Sequence, residues 1–164
     1  MMNAGFTEIL ASIMAALLVW AAIVDLRTRT IPDWVSIAAV VMAPMFWWSS
    51  GVAFYPDAVE RICGAFLVFV VFFGMFSAGG MGGGDVKLGT AFALWFAPLA
   101  TLQFFVVTSL AGGIVSVGAW IYHHKFRRLE GKTEVPYGVA IAFGGLWLLA
   151  QRFLNQFAGM SLGN

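Results

Sequence analysis

The chain has 164 residues, of which 61% are hydrophobic and only 10% are charged, and its formal net charge at pH 7 is +1. Soluble domains carry about 25% charged residues and about 45–50% apolar ones, so this composition is typical of a membrane protein. The small net charge gives no reason to expect a nucleic-acid partner. A single cysteine excludes an internal disulfide and a zinc site built from four cysteines.

Six apolar segments, taken in chain order, are predicted to form transmembrane helices. A helix needs about 20 apolar residues to cross the hydrocarbon core, or about 17 at the least. The predicted spans are residues 6–24, 34–50, 60–78, 86–99, 101–122 and 137–155. The first span lacks the basic start of a secretory signal peptide, so we expect the protein to retain it. The sequence therefore predicts an all-α fold, with residues 1–164 as one domain that forms a bundle of six transmembrane helices.

The basic residues are distributed unevenly between the loops, and this predicts the orientation in the membrane. Seven of the nine lie in the loops 25–33, 79–87 and 123–136, whereas Arg61 and Arg152 lie on the other side. Short loops rich in Lys and Arg stay in the cytoplasm. We therefore expect these three loops in the cytoplasm and both termini outside it.

Two aspartates stand at the same predicted depth, at the cytoplasmic edge of the membrane. Asp25 follows the first span and Asp85 precedes the fourth. Two carboxylates that share a site cannot both ionise easily, so one keeps a proton while the other acts as a base. Such a pair can activate a water molecule toward a peptide carbonyl without a metal or a nucleophilic side chain.

The segment GGMGGGDVKLG, residues 79–89, places five glycines before Asp85. Backbone without side chains would let a substrate strand approach the carboxylate closely. A flexible loop or a close helix-packing seam is the alternative interpretation. The segment lacks the Gly-Lys-Ser/Thr ending of a phosphate-binding loop. His123 and His124 have no third ligand at a suitable spacing, so we predict no metal site.

Three segments resemble those of one known family. GGGDVKLG, at 82–89, resembles the GxGD motif of the polytopic aspartyl proteases. DLRTRTIPDW, at 25–34, resembles the aspartate, basic residues and Ile-Pro pair that follow the first span of type IV prepilin peptidases. VPYGVAIAFGG, at 135–145, is similar to the opening of the last span in the short members of that family. The three segments occur in the order of the family and on the same predicted face.

The resemblance implies a membrane aspartyl endopeptidase that removes the leader from pilin-like precursors at the cytoplasmic face of the bacterial inner membrane. It implies that Asp25 and Asp85 are the catalytic pair, although Asp33 departs from the family, in which many relatives have Asn. It further implies a loop-shaping or substrate-binding role for Pro32, Asp33, Gly82, Gly84, Lys87, Pro136, Tyr137 and Gly138. The expected partners are the precursor and the lipid bilayer, and no cofactor is expected.

The length of the chain points to one branch of this family. Longer relatives carry a cysteine-rich insertion and also methylate the new N-terminus of their product. With one cysteine and no such insertion, the chain is most similar to the short, peptidase-only form of Flp or tight-adherence pilus systems.

Two other functions stay open. A small transporter could use buried acids to carry protons or ions, but it would place them nearer the bilayer midplane and show repeated halves. A non-catalytic subunit of a pilus or secretion assembly would use the glycines for helix packing, and replacing Asp85 by Asn would then be harmless.

Overall fold

A computed structural model describes residues 3–126 and 137–161. Six α-helices contain most of these residues: α1 (Ala4–Thr28), α2 (Asp33–Ser50), α3 (Val59–Ser77), α4 (Gly83–Ala93), α5 (Pro98–Phe126) and α6 (Tyr137–Ser161). A short helical turn, Phe54–Ala58, leads into α3. The described residues contain no β-strand, so the predicted all-α class is confirmed.

Four helical segments are long and apolar enough to cross a membrane: Ala4–Thr28, Phe54–Ser77, Pro98–Gly118 and Tyr137–Asn155. Less than half of the residues in each segment are buried inside the bundle. Apolar side chains exposed over such lengths are stable in lipid, where the surrounding acyl chains are as apolar as the side chains themselves. The protein is therefore a membrane protein. The second and fourth predicted spans are not among these four segments.

The fourth predicted span, residues 86–99, corresponds to a shorter helix. α4 has 11 residues, so at 1.5 Å per residue it is about 16 Å long, roughly half of the hydrocarbon core. It ends at Ala93 because the chain turns before Pro98, which begins α5. The residue before a proline is disfavoured in a helix, so the two helices cannot merge. Most of α4 is buried, and it lies inside the bundle.

Side chains from other helices bond the backbone just beyond the end of α4. The indole N–H of Trp47 donates to the carbonyl of Leu94 at 2.8 Å, and a guanidinium N–H of Arg61 donates to the carbonyl of Trp95 at 2.6 Å. The indole N–H of Trp95 donates in turn to the carbonyl of Ala39 at 3.0 Å. An unpaired carbonyl at membrane depth costs several kcal/mol. These bonds allow the helix to end within the bundle.

Glycines let α4 pack closely against its neighbours. A Cβ atom at Gly89 would overlap the ring of Phe72 in α3, and a Cβ atom at Gly145 of α6 would lie 2.9 Å from the ring of Phe92 in α4. Small residues at such interfaces allow membrane helices to approach each other closely. The position of α4 is thus fixed from two sides, and with it the position of Asp85 in its first turn.

Candidate active site

Asp85 is buried in the first turn of α4, with only 6% of its surface exposed. Its Oδ2 accepts a hydrogen bond of 3.1 Å from the backbone N–H of Gly82, the residue that precedes the helix. The N-terminus of a helix stabilises negative charge. The other oxygen, Oδ1, has no hydrogen-bond partner among the described residues. One oxygen is therefore held by the backbone, whereas the other is buried and makes no hydrogen bond with a described residue.

Asp25 lies in the last turn of α1 and is 4% exposed. Its carboxyl faces the first turn of α6, where the backbone N–H groups of Gly138 and Val139 approach it. A Cβ atom at Gly138 would lie only 2.8 Å from Oδ2 of Asp25, so a side chain there would collide with the carboxyl. Oδ2 nevertheless makes no hydrogen bond of regular geometry with a described residue. Like Asp85, Asp25 combines contact with a helix N-terminus and one unused oxygen.

Ile31, in the loop between α1 and α2, contacts the surroundings of both aspartates. A Cβ atom at Gly138, beside Asp25, would lie 2.8 Å from Cδ1 of Ile31. A Cβ atom at Gly84, the residue before Asp85, would lie 3.2 Å from both Cβ and the carbonyl oxygen of Ile31. Ile31 and Pro32 form the Ile-Pro pair of the first-loop motif, but of these two only Pro32 was expected to have a site role. The buried Ile31 side chain is the residue that this expectation missed.

The contact with Ile31 changes the interpretation of the glycine segment. Gly84 was expected to leave room for a substrate strand, but Ile31 already fills the space beside it. The open positions lie earlier in the loop: nothing stands within 4 Å of a Cβ atom at Gly79. Gly79 has a φ of +77°, a conformation that favours glycine. Gly84 therefore packs closely against Ile31, and its loop-shaping or substrate-binding role stays a prediction.

Asp33 and Lys87 form an ion pair outside the buried site. Nζ of Lys87 lies 2.8 Å from Oδ1 of Asp33, and the two side chains are 57% and 64% exposed, respectively. Exposed pairs of this kind contribute about 0–1 kcal/mol to stability. The carboxylate of Asp33 is thus engaged with a lysine and is solvated, unlike those of Asp25 and Asp85.

The remaining predicted site residues border this region. Pro32 is the residue that precedes α2, with an extended backbone. Tyr137 begins α6, and its ring stands 2.6 Å from where a Cβ atom at Gly112 of α5 would lie. Pro136 lies outside the described residues.

Asp25 and Asp85 are close enough for the charge of one to affect the ionisation of the other. Burial raises the pKa of Asp85, and the negative charge of Asp25 raises it further, whereas the Gly82 N–H lowers it, giving a pKa of about 7. An ordinary aspartate has a pKa near 3.9. Near neutral pH, Asp85 therefore keeps its proton in a large fraction of molecules. A protonated carboxyl beside an ionised one supplies an acid and a base in the same site.

A bound metal ion would be an alternative source of chemistry. Among the side chains that the structure describes, no three His, Cys, Asp or Glu residues come together as metal ligands would. The side chains of His123 and His124 lie outside that set.

The chain is similar to the members of one known protein family. The family model of the type IV leader peptidases matches residues 12–117, which is more than half of the chain and includes both Asp25 and Asp85. Searches of the curated proteins and of the solved structures gave no significant match. The predicted resemblance is confirmed, and the chain belongs to the type IV leader peptidase family.

Proposed function

We propose that this protein is an aspartic endopeptidase that removes the leader from type IV pilin-like precursors, with Asp25 and Asp85 as its catalytic pair. The observation that carries the proposal is the pair of buried carboxyls, each with one oxygen that no described residue hydrogen-bonds. Membership of a peptidase family favours this function over the transporter and the assembly subunit.

The two carboxyls have different tasks in the proposed mechanism. Ionised Asp25 takes a proton from a water molecule while the water oxygen bonds to the scissile carbonyl carbon. Protonated Asp85 gives its proton to the carbonyl oxygen, so the tetrahedral intermediate carries no charge there. Asp25 then gives the acquired proton to the leaving nitrogen as the C–N bond breaks. Asp85 takes its proton back from the intermediate, and the pair returns to its starting state.

The proposed location explains why the substrate is a membrane-anchored precursor. In the proposed topology all six helices form the bundle, and the loops with seven of the nine basic residues face the cytoplasm of the bacterial cell. The apolar helix of the precursor lies beside the bundle, and its polar leader stays in the cytoplasm. The bond between leader and helix is then level with Asp25 and Asp85. A glycine before that bond, as the substrates of the family have, makes local unwinding easier.

The proposed substrate is an Flp-type precursor, which the enzyme cleaves without methylating the product. The support is the single cysteine and the short connection between α1 and α2, which contains no cysteine-rich insertion. The test is to incubate the purified full chain in detergent with an Flp-type precursor and S-adenosylmethionine, and to measure the intact mass of the product. We expect the mass of the leader-free chain with no added methyl group. An uncleaved precursor, or equal cleavage by an Asp85→Asn variant, would contradict the proposal.

A further inference from the structure

A recess lined by basic and amide side chains lies at the end of the bundle opposite to the two aspartates. It has a volume of about 300 Å³. Its charged and amide side chains are those of Arg61, Gln103, Gln151, Arg152 and Asn155. Arg152 follows Gly138 by 14 residues of α6, a distance of about 21 Å along a helix.

The recess exists because α4 is short. Where a longer helix would continue, the chain turns after Ala93, and the side chains of Trp95 and Phe96 line the space instead. Arg61 is the third residue of α3, so it lies near one end of the membrane-crossing segment Phe54–Ser77. The recess is therefore at the depth where lipid headgroups meet the acyl chains.

Both arginines line the recess, and each has one buried donor that no described residue bonds. A guanidinium N–H of Arg61 bonds the carbonyl of Trp95, but the buried Nε has no hydrogen-bond partner among the described residues. Arg152 lies 3.7 Å from the carboxylate of Glu8, and its guanidinium stands 4.7 Å over the ring of Phe46. Its Nε is likewise buried and without a partner within the described residues.

The side chains that line the recess favour binding of an anion with several oxygen atoms. Each guanidinium has five N–H donors and no acceptor, and a buried donor without an acceptor destabilises the protein. The acids at this end of the bundle, Glu8, Asp57 and Glu60, do not line the recess. A phosphate group presents several acceptor oxygens in a geometry that guanidinium groups bind with paired hydrogen bonds. The amides of Gln151 and Asn155 can donate to the same group.

We propose that this recess binds a phosphate group, carried by a phospholipid headgroup or by a free phosphate ion. A phospholipid places its phosphate at the depth of Arg61 and Arg152. The apolar part of the lining, which includes Phe46 and Leu148, then contacts the first carbons of the acyl chains. A free phosphate ion satisfies the same donors but leaves the apolar part of the lining uncovered.

The test measures ligand binding by the detergent-solubilised full chain, by native mass spectrometry at increasing ligand concentration. Three ligands are compared: dioleoylphosphatidylglycerol, dioleoylglycerol (the same acyl chains without phosphate) and sodium phosphate. We expect phosphatidylglycerol to bind and dioleoylglycerol not to bind at the same concentration. Binding of sodium phosphate alone would also support the phosphate site and would assign it to the free ion. Equal binding of the two lipids, without binding of sodium phosphate, would overturn the proposal.

Variants separate this site from general lipid association. Arg152→Gln and Arg61→Lys should each weaken binding of the phosphate ligand by about tenfold or more, because each loses charge-assisted or paired hydrogen bonds. Arg61→Lys keeps an N–H donor for the carbonyl of Trp95, so the hydrogen bond that this buried carbonyl accepts can still form. Arg27→Gln removes the same charge as Arg152→Gln, but from an exposed position near the aspartates, and should leave binding unchanged. Unchanged affinity in Arg152→Gln would overturn the proposal, even if Arg61→Lys did not fold.

Discussion

At the scale of single residues, the two buried aspartates and the exposed Asp33 predict different effects of the same substitution. Replacing Asp25 or Asp85 by Asn should lower the cleavage rate by about 10²–10⁴-fold, the usual contribution of a general acid or base. Asp33→Asn loses only an exposed ion pair with Lys87 and should change the rate by a few-fold at most. Single-turnover cleavage of a precursor measures all three rates.

Folding of these variants is checked by circular dichroism and thermal unfolding in the same detergent. An inactive Asp33→Asn protein together with an active Asp25→Asn protein would show that the wrong carboxylates have been paired.

The raised pKa of Asp85 predicts how the rate depends on pH. The mechanism needs this carboxyl protonated, so the rate should fall about tenfold per pH unit once the pH exceeds the pKa of about 7. The rate should also fall on the acid side, where the second carboxyl becomes protonated, and the profile should be bell-shaped. The measurement is the cleavage rate of a purified precursor between acid and alkaline pH. A flat profile would contradict a carboxyl pair.

Stability gives an independent check of the same pKa. Because the pKa of Asp85 is higher in the folded chain than the usual value near 3.9, the folded state binds more protons than the unfolded state between about pH 4 and pH 7. The contribution of this group to stability is therefore fully present below pH 4 and is lost as the pH rises through 7. Asp85→Asn cannot ionise and escapes this loss. The melting temperature of Asp85→Asn minus that of the wild type should increase from pH 4 to pH 8. If this difference does not change with pH, the pKa of Asp85 is not raised in the folded chain.

At the scale of the helices, the close packing of α4 on α3 predicts a destabilising substitution. Gly89→Ala would place a Cβ atom against the ring of Phe72, and overpacking of this kind costs typically about 1–3 kcal/mol. Gly74→Ala is the matched control, because nothing stands within 4 Å of its Cβ position in α3. Thermal unfolding should show a lower melting temperature for Gly89→Ala only. Equal shifts in both variants would mean that α4 and α3 are not in close contact there.

The ends of the helices show what the sequence can predict and where such prediction stops. Asp25 and Asp85 were expected to lie close together because both stand at the edge of a predicted span on the same side. The end of α4 was not predicted, because the residues 94–97 are Leu, Trp, Phe and Ala, and an apolar composition does not separate a helix from a buried turn. The turn depends on bonds from Trp47 and Arg61, which are distant in sequence.

The residue that fills the space beside Gly84 is a second feature that the sequence does not predict. A glycine in the sequence shows that a side chain is absent, but only the fold shows what occupies the space. Here it is Ile31, from another loop. The sequence itself places the glycines next to Asp85, whereas the residue that packs against Gly84 could not be derived from it.

At the scale of the whole molecule, the uneven distribution of basic residues predicts which side each loop faces. In a Cys63→Ser background, Thr30→Cys should resist a membrane-impermeant maleimide in intact cells, and Ala53→Cys should react with it. Both positions are exposed in the structure, and they lie at opposite ends of α2. Labelling is read by the mass shift of the purified protein, with permeabilised cells as the control for reactivity. The reverse pattern would invert the proposed orientation.

The contacts of Ile31 affect how the glycines beside the two carboxyls tolerate substitution. It touches the glycine beside each of them, so Gly84 and Gly138 share one partner although they lie on different helices. Substitutions at sites with a shared partner have energetic effects that do not add. A methyl group at either glycine pushes on the same side chain, and the second methyl group acts on a loop that the first has already displaced. The surroundings of the two carboxyls are thus coupled through Ile31, and a substitution at Gly84 should change the effect of a substitution at Gly138.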